Sequence, residues 1–375
     1  MMNSLVALDM PASQDFVSAL KSIWDSGDAA LPIDQRLPQH ARRKLVEQFS
    51  ASAVIEGDNL RTNLSGGVPV EQGDALVIAT SGSTGEPKGV VHTHGSIEAA
   101  ILTTGGRLNC SSHDHWLACL SLAHVGGLSV VLRALHFKSS LTVSSRADQK
   151  TFLAALAKGA TMTSLVPTVL QSVDISKFRT VLIGGAQAPG ELPSNAISTY
   201  GLTETMGGVV YDGVPLDGVE VRITDDSEIL IRSRTLLRCY RDGTNPTTKD
   251  GWLPTGDLGE ITDRRLSVHG RRDELINTGG YKVWPRTVEN SITTIGGVAD
   301  CVVRGLTDEK WGSMVSAWIV LADPKVRLNL DDVRRHVKQS LPDYCAPNKI
   351  FIVDQIPRST LGKVQVSELL KLKTV

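Results

Sequence analysis

"ALVIATSGSTGEPKG", residues 75–89, places a short apolar run directly before a glycine-rich turn. Ala75–Thr80 is uncharged and rich in branched side chains, the composition of a buried strand. Ser81–Gly89 then brings Gly82, Gly85 and Gly89, hydroxyls at Ser81, Ser83 and Thr84, a proline and Lys88. The chain from Val90 leads into a helix whose start is marked by Ser96. Such a turn can aim backbone N–H groups at phosphate oxygens while the hydroxyls donate hydrogen bonds and the lysine supplies charge. The same residue types also build an ordinary exposed turn. One class is excluded by spacing: the nucleoside-triphosphate loop needs Gly-x-x-x-x-Gly-Lys and then Ser or Thr. Counting from Gly82, the sixth position is Pro87, and Gly89 follows Lys88.

Outward from this turn, "HWLACLSL", "SLTVSS", "TMTSLV" and "TVLIGG" read as further strands, with helices over Val125–His136 and Gln149–Ala157 and an N-terminal helix in "DFVSALKSIWDSG". Alternating strands and helices predict a large N-terminal α/β domain around a buried, largely parallel sheet, with phosphate-facing loops at the carboxyl ends of the strands. After Gly213 the segments "VEVRI", "EILIRS" and "LSVHG" alternate more strictly, the pattern of a small antiparallel sheet or barrel. Beyond Asp273, helical "TVENSITTI" and "LDDVRRHVKQSL" and extended "DCVVRGL" and "VSAWIV" predict a small, mobile C-terminal α+β domain. The expected division is 1–272 and 273–375.

A chain of 375 residues, 41% of them hydrophobic, can fill more than one core, and its net charge of -1 gives no bulk attraction to nucleic acid or anionic membrane. The five cysteines have neither paired nor metal-ligand spacing. That points to a reducing cytosol. No basic region leads into an unbroken apolar segment, and no run is long enough to cross a bilayer, so the expectation is a soluble cytoplasmic protein without membrane insertion. "HDHW" at residues 113–116 lacks the ligand set of a tetrahedral zinc site and reads as a turn.

Four more segments carry polar groups suited to a nucleotide. "YGLTET" offers the ring of Tyr200 for stacking on a base, Thr203, and the carboxylate of Glu204 for Mg2+; a strand-to-turn transition with a packed ring is the alternative. "GWLPTGDLGEI" puts Asp257 on a glycine-flanked turn, where it can accept from ribose hydroxyls or bond its own backbone. "GRRDELINTGGYKVWP" adds Arg271, Arg272, Asp273 and Lys282, while Gly279 and Gly280 permit close approach of another molecule; a salt-bridged surface turn has the same composition. "PRSTLGKV" carries Lys363 on a loop, where most lysines are simply solvated.

Taken in order, "SGSTGEPKG", "YGLTET", "GWLPTGD", "GRRDELINTGG" and "PRSTLGK" resemble the motif series of the adenylate-forming acyl- and aryl-CoA ligases, over nearly all of the chain after Asp74. The resemblance implies Ser81, Gly82, Ser83, Thr84, Gly85 and Lys88 as the phosphate-contacting loop, Tyr200 as the adenine-packing ring, Thr203 at a phosphate and Glu204 as the magnesium-associated carboxylate. It implies Asp257 at the ribose, Arg271 at the nucleotide, Asp273 as hinge, Gly279 and Gly280 on the CoA path, and Lys363 as the lysine of the adenylation step, with Lys88 and Glu204 as its catalytic companions. The cofactors implied are ATP and Mg2+, with CoA as co-substrate.

The short chain, "SLAHVGGLSVVLRAL" and "ETMGGVVYDGVPLDGVEV" resemble the branch of the family that activates o-succinylbenzoate for menaquinone biosynthesis. Most relatives carry a longer region before the glycine-rich loop, so the N-terminal part is expected to be reduced, and a homodimer is compatible with that. His124, Gly126, Gly127, Gly207 and Gly208 are candidates for the acyl pocket. His124 can bond a substrate oxygen or, buried, pair with backbone, and Arg133 is the candidate for a second substrate carboxylate. The alternatives are a ligase for another acyl or aryl acid, and a non-catalytic ATP-binding assembly protein.

Overall fold

The computed structural model describes residues 3–57, 60–81, 87–186, 191–323, 325–358 and 364–372. Two compact units emerge, one of Met1–Arg222, Leu230–Thr255 and Ile261–Leu266, the other of Ile223–Ile229, Gly256–Glu260 and Ser267–Val375.

The larger unit holds two seven-stranded sheets rather than the single sheet expected from the strand pattern. The first runs in the order Cys239–Tyr240, Pro87–Thr93, Asp74–Ser81, Ala29–Pro32, Leu5–Asp9, Ala53–Glu56, Arg61–Asn63. Its centre is parallel: Leu5–Asp9 pairs that way with both Ala29–Pro32 and Ala53–Glu56. Its flanks are antiparallel. Leu5, Val6, Ala7 and Leu8 are all buried, as a strand covered on both faces requires. Helix Gln14–Asp25 starts where Ser13 accepts a hydrogen bond from the Phe16 N–H, and it buries Phe16, Val17, Leu20 and Ile23 along one face.

The second sheet runs Val214–Pro215, Gly207–Tyr211, Ala196–Leu202, Thr180–Ile183, Met162–Leu165, His115–Ala118, Ser140–Val143. Here too the parallel centre gives way to antiparallel pairing, at Ala196–Leu202 against Gly207–Tyr211. Helices Val125–His136 and Gln149–Ala157 occupy the residues predicted for them.

The segment after the glycine-rich turn adds a strand that the sequence reading lacked. Pro87–Thr93 is a strand, antiparallel to Asp74–Ser81 with Ala79 opposite Gly89, and it precedes the helix that the chain from Val90 was expected to enter. The helix begins at His94, two residues before the Ser96 start expected, behind a reciprocal cap in which Thr93 Oγ1 accepts from the Ser96 N–H and Ser96 Oγ from the Thr93 N–H. Ser96 therefore stands inside the first turn. Val90, Val91 and His92 are all buried, and the β-branched pair suits the ladder.

A third, four-stranded sheet follows the order Val219–Ile223, Glu228–Ser233, Leu253–Thr262, Arg265–Arg271. Asp257 thus lies within a strand and not on a turn: Leu253, Thr255 and Asp257 are buried, and Leu258 and Gly259 after them.

The C-terminal unit is built on Val298–Asp308 and Gly312–Leu321, an antiparallel pair extended by Ile276–Thr278 and Tyr281–Val283 on one side and by Lys349–Ile352, parallel to Gly312–Leu321, on its own branch. Helices Pro285–Thr293 and Leu330–Ser340 bury Val288, Ile292, Val333 and Val337 with Val303, Val315 and Ala317. The residues between, Val302 and Trp318, point to the other face and pack with Ile356 and Leu369. This period of two is the reason a single sheet can carry two cores.

Candidate active site

In the larger unit the candidate residues gather at a 3-10 turn, Thr203–Thr205, that ends strand Ala196–Leu202. A register shift between Tyr200 and Gly201 bends the strand just before it. Tyr200 is half-buried on that strand. The turn is fastened from several sides. Thr205 is buried, its Oγ1 accepting from the Leu202 N–H at 2.8 Å and lying 2.6 Å from the Gly207 carbonyl. The Leu237 N–H donates to the Glu204 carbonyl at 2.8 Å. His92, fully buried, donates from Nε2 to the Thr203 carbonyl at 2.8 Å, with Nδ1 3.1 Å from Ser96 Oγ. Burial pulls the His92 pKa down to about 4 against the opposing pull of that carbonyl, so the ring is a neutral strut at neutral pH.

The half-buried carboxylate of Glu204 accepts at Oε1 from the Tyr240 hydroxyl at 2.9 Å. On the other side of the same residue, Lys88 Nζ stands 4.8 Å from the centre of the Tyr240 ring. The sequence candidates Lys88, Thr203 and Glu204 are thereby brought together. A group of three metal-ligating side chains does not occur among the described residues. One accessible carboxylate is nonetheless what Mg2+ asks of a protein when phosphates supply its other ligands. Glu204 fits that role.

Beside this turn, a small cavity is lined by Ile101 and Thr104 of helix His94–Leu108, Leu132 and Arg133 of helix Val125–His136, and Met206 and Gly208. Arg133 is 3% exposed, its guanidinium 4.7 Å over the Trp116 ring and its Nη2 a long 3.5 Å from Ser164 Oγ. Its Nε has no hydrogen-bond partner, and no carboxylate pairs with it among the described residues. Burial lowers its pKa. An uncompensated buried cation is costly, and such groups cluster at functional sites.

Gly208 shares the cavity with Arg133, whereas Gly126, Gly127 and Gly207 are not among its lining residues. His124 precedes helix Val125–His136, and its Nε2 lies 3.1 Å from Asp34 Oδ2, so the ring pairs with a carboxylate where the sequence suggested a backbone partner or a substrate oxygen. Although burial pushes the Asp34 carboxyl up, hydrogen bonds from His124 and Arg36 outweigh it and hold the group well below the usual carboxylate range.

In the C-terminal unit Asp257 is 7% exposed, and Arg271 reaches it with Nη1 3.3 Å from Oδ1. Arg271 Nε lies 3.4 Å from Asp273 Oδ1, which places the arginine between the two carboxylates. Gly256 makes the approach feasible: at φ +71, a Cβ there would stand 3.0 Å from Arg271 Nη2. Asp273 itself lies in the exposed 3-10 turn Arg272–Glu274. Gly279 and Gly280, at φ +56 and +84, form the two-residue hairpin turn between Ile276–Thr278 and Tyr281–Val283. They differ in surroundings. The Trp311 indole covers Gly279, while nothing lies within 4 Å of where a Gly280 Cβ would be.

Gly82, Ser83, Thr84, Gly85 and Lys363 lie outside the described residues, and Ser81 is described only as the end of its strand. Sequence reasoning missed His92, Tyr240 and Asp34. A signal for the first existed: Lys88, Val90 and His92 alternate, and reading "KGVVHT" as a strand sets His92 on the face of Lys88.

The AMP-binding enzyme family matches residues 64–241, and the AMP-binding enzyme C-terminal domain matches residues 287–363. A probable 2-succinylbenzoate–CoA ligase of Mycobacterium tuberculosis (strain CDC 1551 / Oshkosh) is 35% identical over 331 residues, covering 81% of this chain and 86% of that protein. The o-succinylbenzoate coenzyme A synthetase (MenE) of Bacillus subtilis in complex with ATP and magnesium ion superposes with a TM-score of 0.86 at 25% identity, over 98% of this chain and 90% of that one. The same enzyme with the acyl-adenylate intermediate OSB-AMP shares the fold at a TM-score of 0.87 and 24% identity, over 100% of this chain and 89% of that one. The chain belongs to the AMP-binding enzyme family, the adenylate-forming acyl- and aryl-CoA ligases.

Proposed function

We propose that the protein joins o-succinylbenzoate to CoA through an acyl-adenylate, consuming ATP and releasing pyrophosphate and then AMP, as a step of menaquinone biosynthesis. The observation that carries the substrate assignment is Arg133. A buried guanidinium without a carboxylate of its own among the described residues lines a cavity whose wall includes Met206 and Gly208, just past the Thr203–Thr205 turn. An aromatic acid with a second carboxylate supplies the missing partner, and recognition of a charged group in a buried site gives strong discrimination.

In the first half-reaction a substrate carboxylate oxygen attacks the α-phosphorus and pyrophosphate leaves. Lys88 and the turn before it orient the departing phosphates, and Lys363, assigned on its motif alone, stabilises charge growing between nucleophile and phosphorus. Asp257 accepts from the ribose, Arg271 contacts the nucleotide and Tyr200 packs on adenine. Glu204 would hold Mg2+, which when bound offsets charge on the phosphate oxygens. In the second half-reaction the CoA sulfur attacks the acyl carbonyl and AMP leaves. Rotation about Asp273 exchanges Lys363 for the Gly279–Gly280 turn between the two steps.

The test is purified protein with ATP, Mg2+, CoA and one acid at a time. o-Succinylbenzoate should release pyrophosphate and form the thioester, with benzoate and fatty acids far slower. Faster turnover of another acid would move the assignment to a different ligase, and ATP binding without acid-dependent pyrophosphate release would make the protein a nucleotide binder only.

A further inference from the structure

Tyr240 belongs to none of the motifs that the sequence singled out, yet it touches both charged groups at the Thr203–Thr205 turn. It sits on the edge strand Cys239–Tyr240, opposite Val90 in an antiparallel pair with the strand that carries Lys88. The Arg238 N–H donates to the Val91 carbonyl at 2.9 Å and the Arg241 N–H to the Gly89 carbonyl at 2.7 Å, so the backbone on both sides of Tyr240 is pinned to that strand. Beneath it, Val90, Leu237 and Leu253 form a small apolar core against which Tyr240 and Leu202 pack. The ring therefore has little freedom. From this fixed position its hydroxyl donates to Glu204 Oε1 at 2.9 Å, and its face receives Lys88 Nζ at 4.8 Å.

We infer that Tyr240 is a positioning residue for adenylation, fixing the Glu204 carboxylate with its hydroxyl and parking the Lys88 ammonium on its ring face. The inference rests on the ATP-dependent reading above. Its physical content is that the two groups are held without being neutralised. A direct Lys88–Glu204 ion pair would tie up the cation meant for phosphate and the anion meant for Mg2+, and none joins them among the described residues. A phenol donor orients a carboxylate and leaves its charge intact. A cation over the face of a half-buried ring is held more weakly than in an ion pair and can transfer to a phosphate. Positioning of this kind acts before any bond changes, because it sets where charge stands when Mg-ATP arrives.

Tyr240→Phe keeps the ring and removes the hydroxyl, while Tyr240→Leu removes both contacts. ATP binding is measured by calorimetry on each folded protein, with AMP-binding sites counted first, across a Mg2+ series and in EDTA. For Tyr240→Phe the Mg2+ concentration that half-restores ATP affinity should rise roughly five- to tenfold, with AMP affinity and ATP affinity in EDTA unchanged. Tyr240→Leu should weaken pyrophosphate binding in the reverse exchange reaction more than Tyr240→Phe does, because only the leucine variant removes the ring face beside Lys88. In a Glu204→Ala background, which removes the acceptor oxygen, the Tyr240→Phe change should add no further shift. A Mg2+ dependence of Tyr240→Phe equal to wild type, or equal shifts in both backgrounds, overturns the positioning role while the ligase reading stands. Wild-type protein whose ATP binding ignores Mg2+ and which exchanges no pyrophosphate overturns both.

Discussion

Arg271 holds Asp257, its Nη1 3.3 Å from Oδ1 of a carboxylate that is only 7% exposed. Arg271 gives this carboxylate a charged partner inside the strand Leu253–Thr262, and in the proposed reaction the carboxylate accepts from ribose hydroxyls. Asp257→Ala should weaken both ATP and AMP by roughly 1.5–3 kcal/mol, the worth of a hydrogen bond to a charged group. Titration calorimetry on folded protein reads this directly, and unchanged affinity for both nucleotides would remove Asp257 from the site.

Arg133 ties stability and specificity together with opposite signs. Replacing a buried unpaired cation by an apolar group of similar length is expected to stabilise the fold by about 1–4 kcal/mol. Arg133→Met should therefore raise the unfolding midpoint while raising KM for o-succinylbenzoate. KM for an analogue lacking the succinyl carboxylate should stay the same. A variant that is less stable, or one that loses both acids equally, would mark Arg133 as a packing residue.

Lys363 separates the half-reactions. Lys363→Ala should nearly abolish pyrophosphate release with o-succinylbenzoate yet keep most thioester formation from prepared acyl-adenylate and CoA, because its contact is strongest as charge develops on the first transition state. Gly280→Leu is the reverse case. Its φ of +84 disfavours any side chain, and the space beside it is open, so the added group should slow the second step more than the first. Rapid-quench assays of each step decide between this pattern and equal losses in both.

His92 gives a pH signature. Its folded pKa of about 4 lies below its ordinary 6.5, so the unfolded chain binds the extra proton throughout that interval. Stability from the neutral ring is complete above pH 6.5 and drains away as pH falls toward 4, by on the order of 3 kcal/mol. His92→Gln, which keeps a neutral donor, should flatten that part of an unfolding-free-energy profile. Asp34 acts lower on the scale: its depressed carboxyl contributes above the ordinary carboxylate range and loses that contribution only on deeper acidification. A His92→Gln profile as steep as wild type between pH 6.5 and 4 would place the acid sensitivity elsewhere.

Much of this was legible in the chain itself. Helices Val125–His136 and Gln149–Ala157 and strands Val219–Ile223 and Glu228–Ser233 follow from local periodicity and end signals, which need no distant partner. The motif order carried the family, because each motif's residue types are set by the chemistry it must perform. The tertiary structure decided what depends on partners far along the chain. Pro87–Thr93 is a strand because Asp74–Ser81 pairs with it, and Asp257 is buried because its segment joins a sheet. Arg133 stood in the sequence as a candidate for a second substrate carboxylate, but only the packing shows it buried with no carboxylate paired to it among the described residues. Tyr240 meets Glu204 from 36 positions away and His92 meets Thr203 from 111, separations that no local pattern encodes. Periodicity fixes which face of an element is apolar; only packing fixes which polar groups from remote segments face one another.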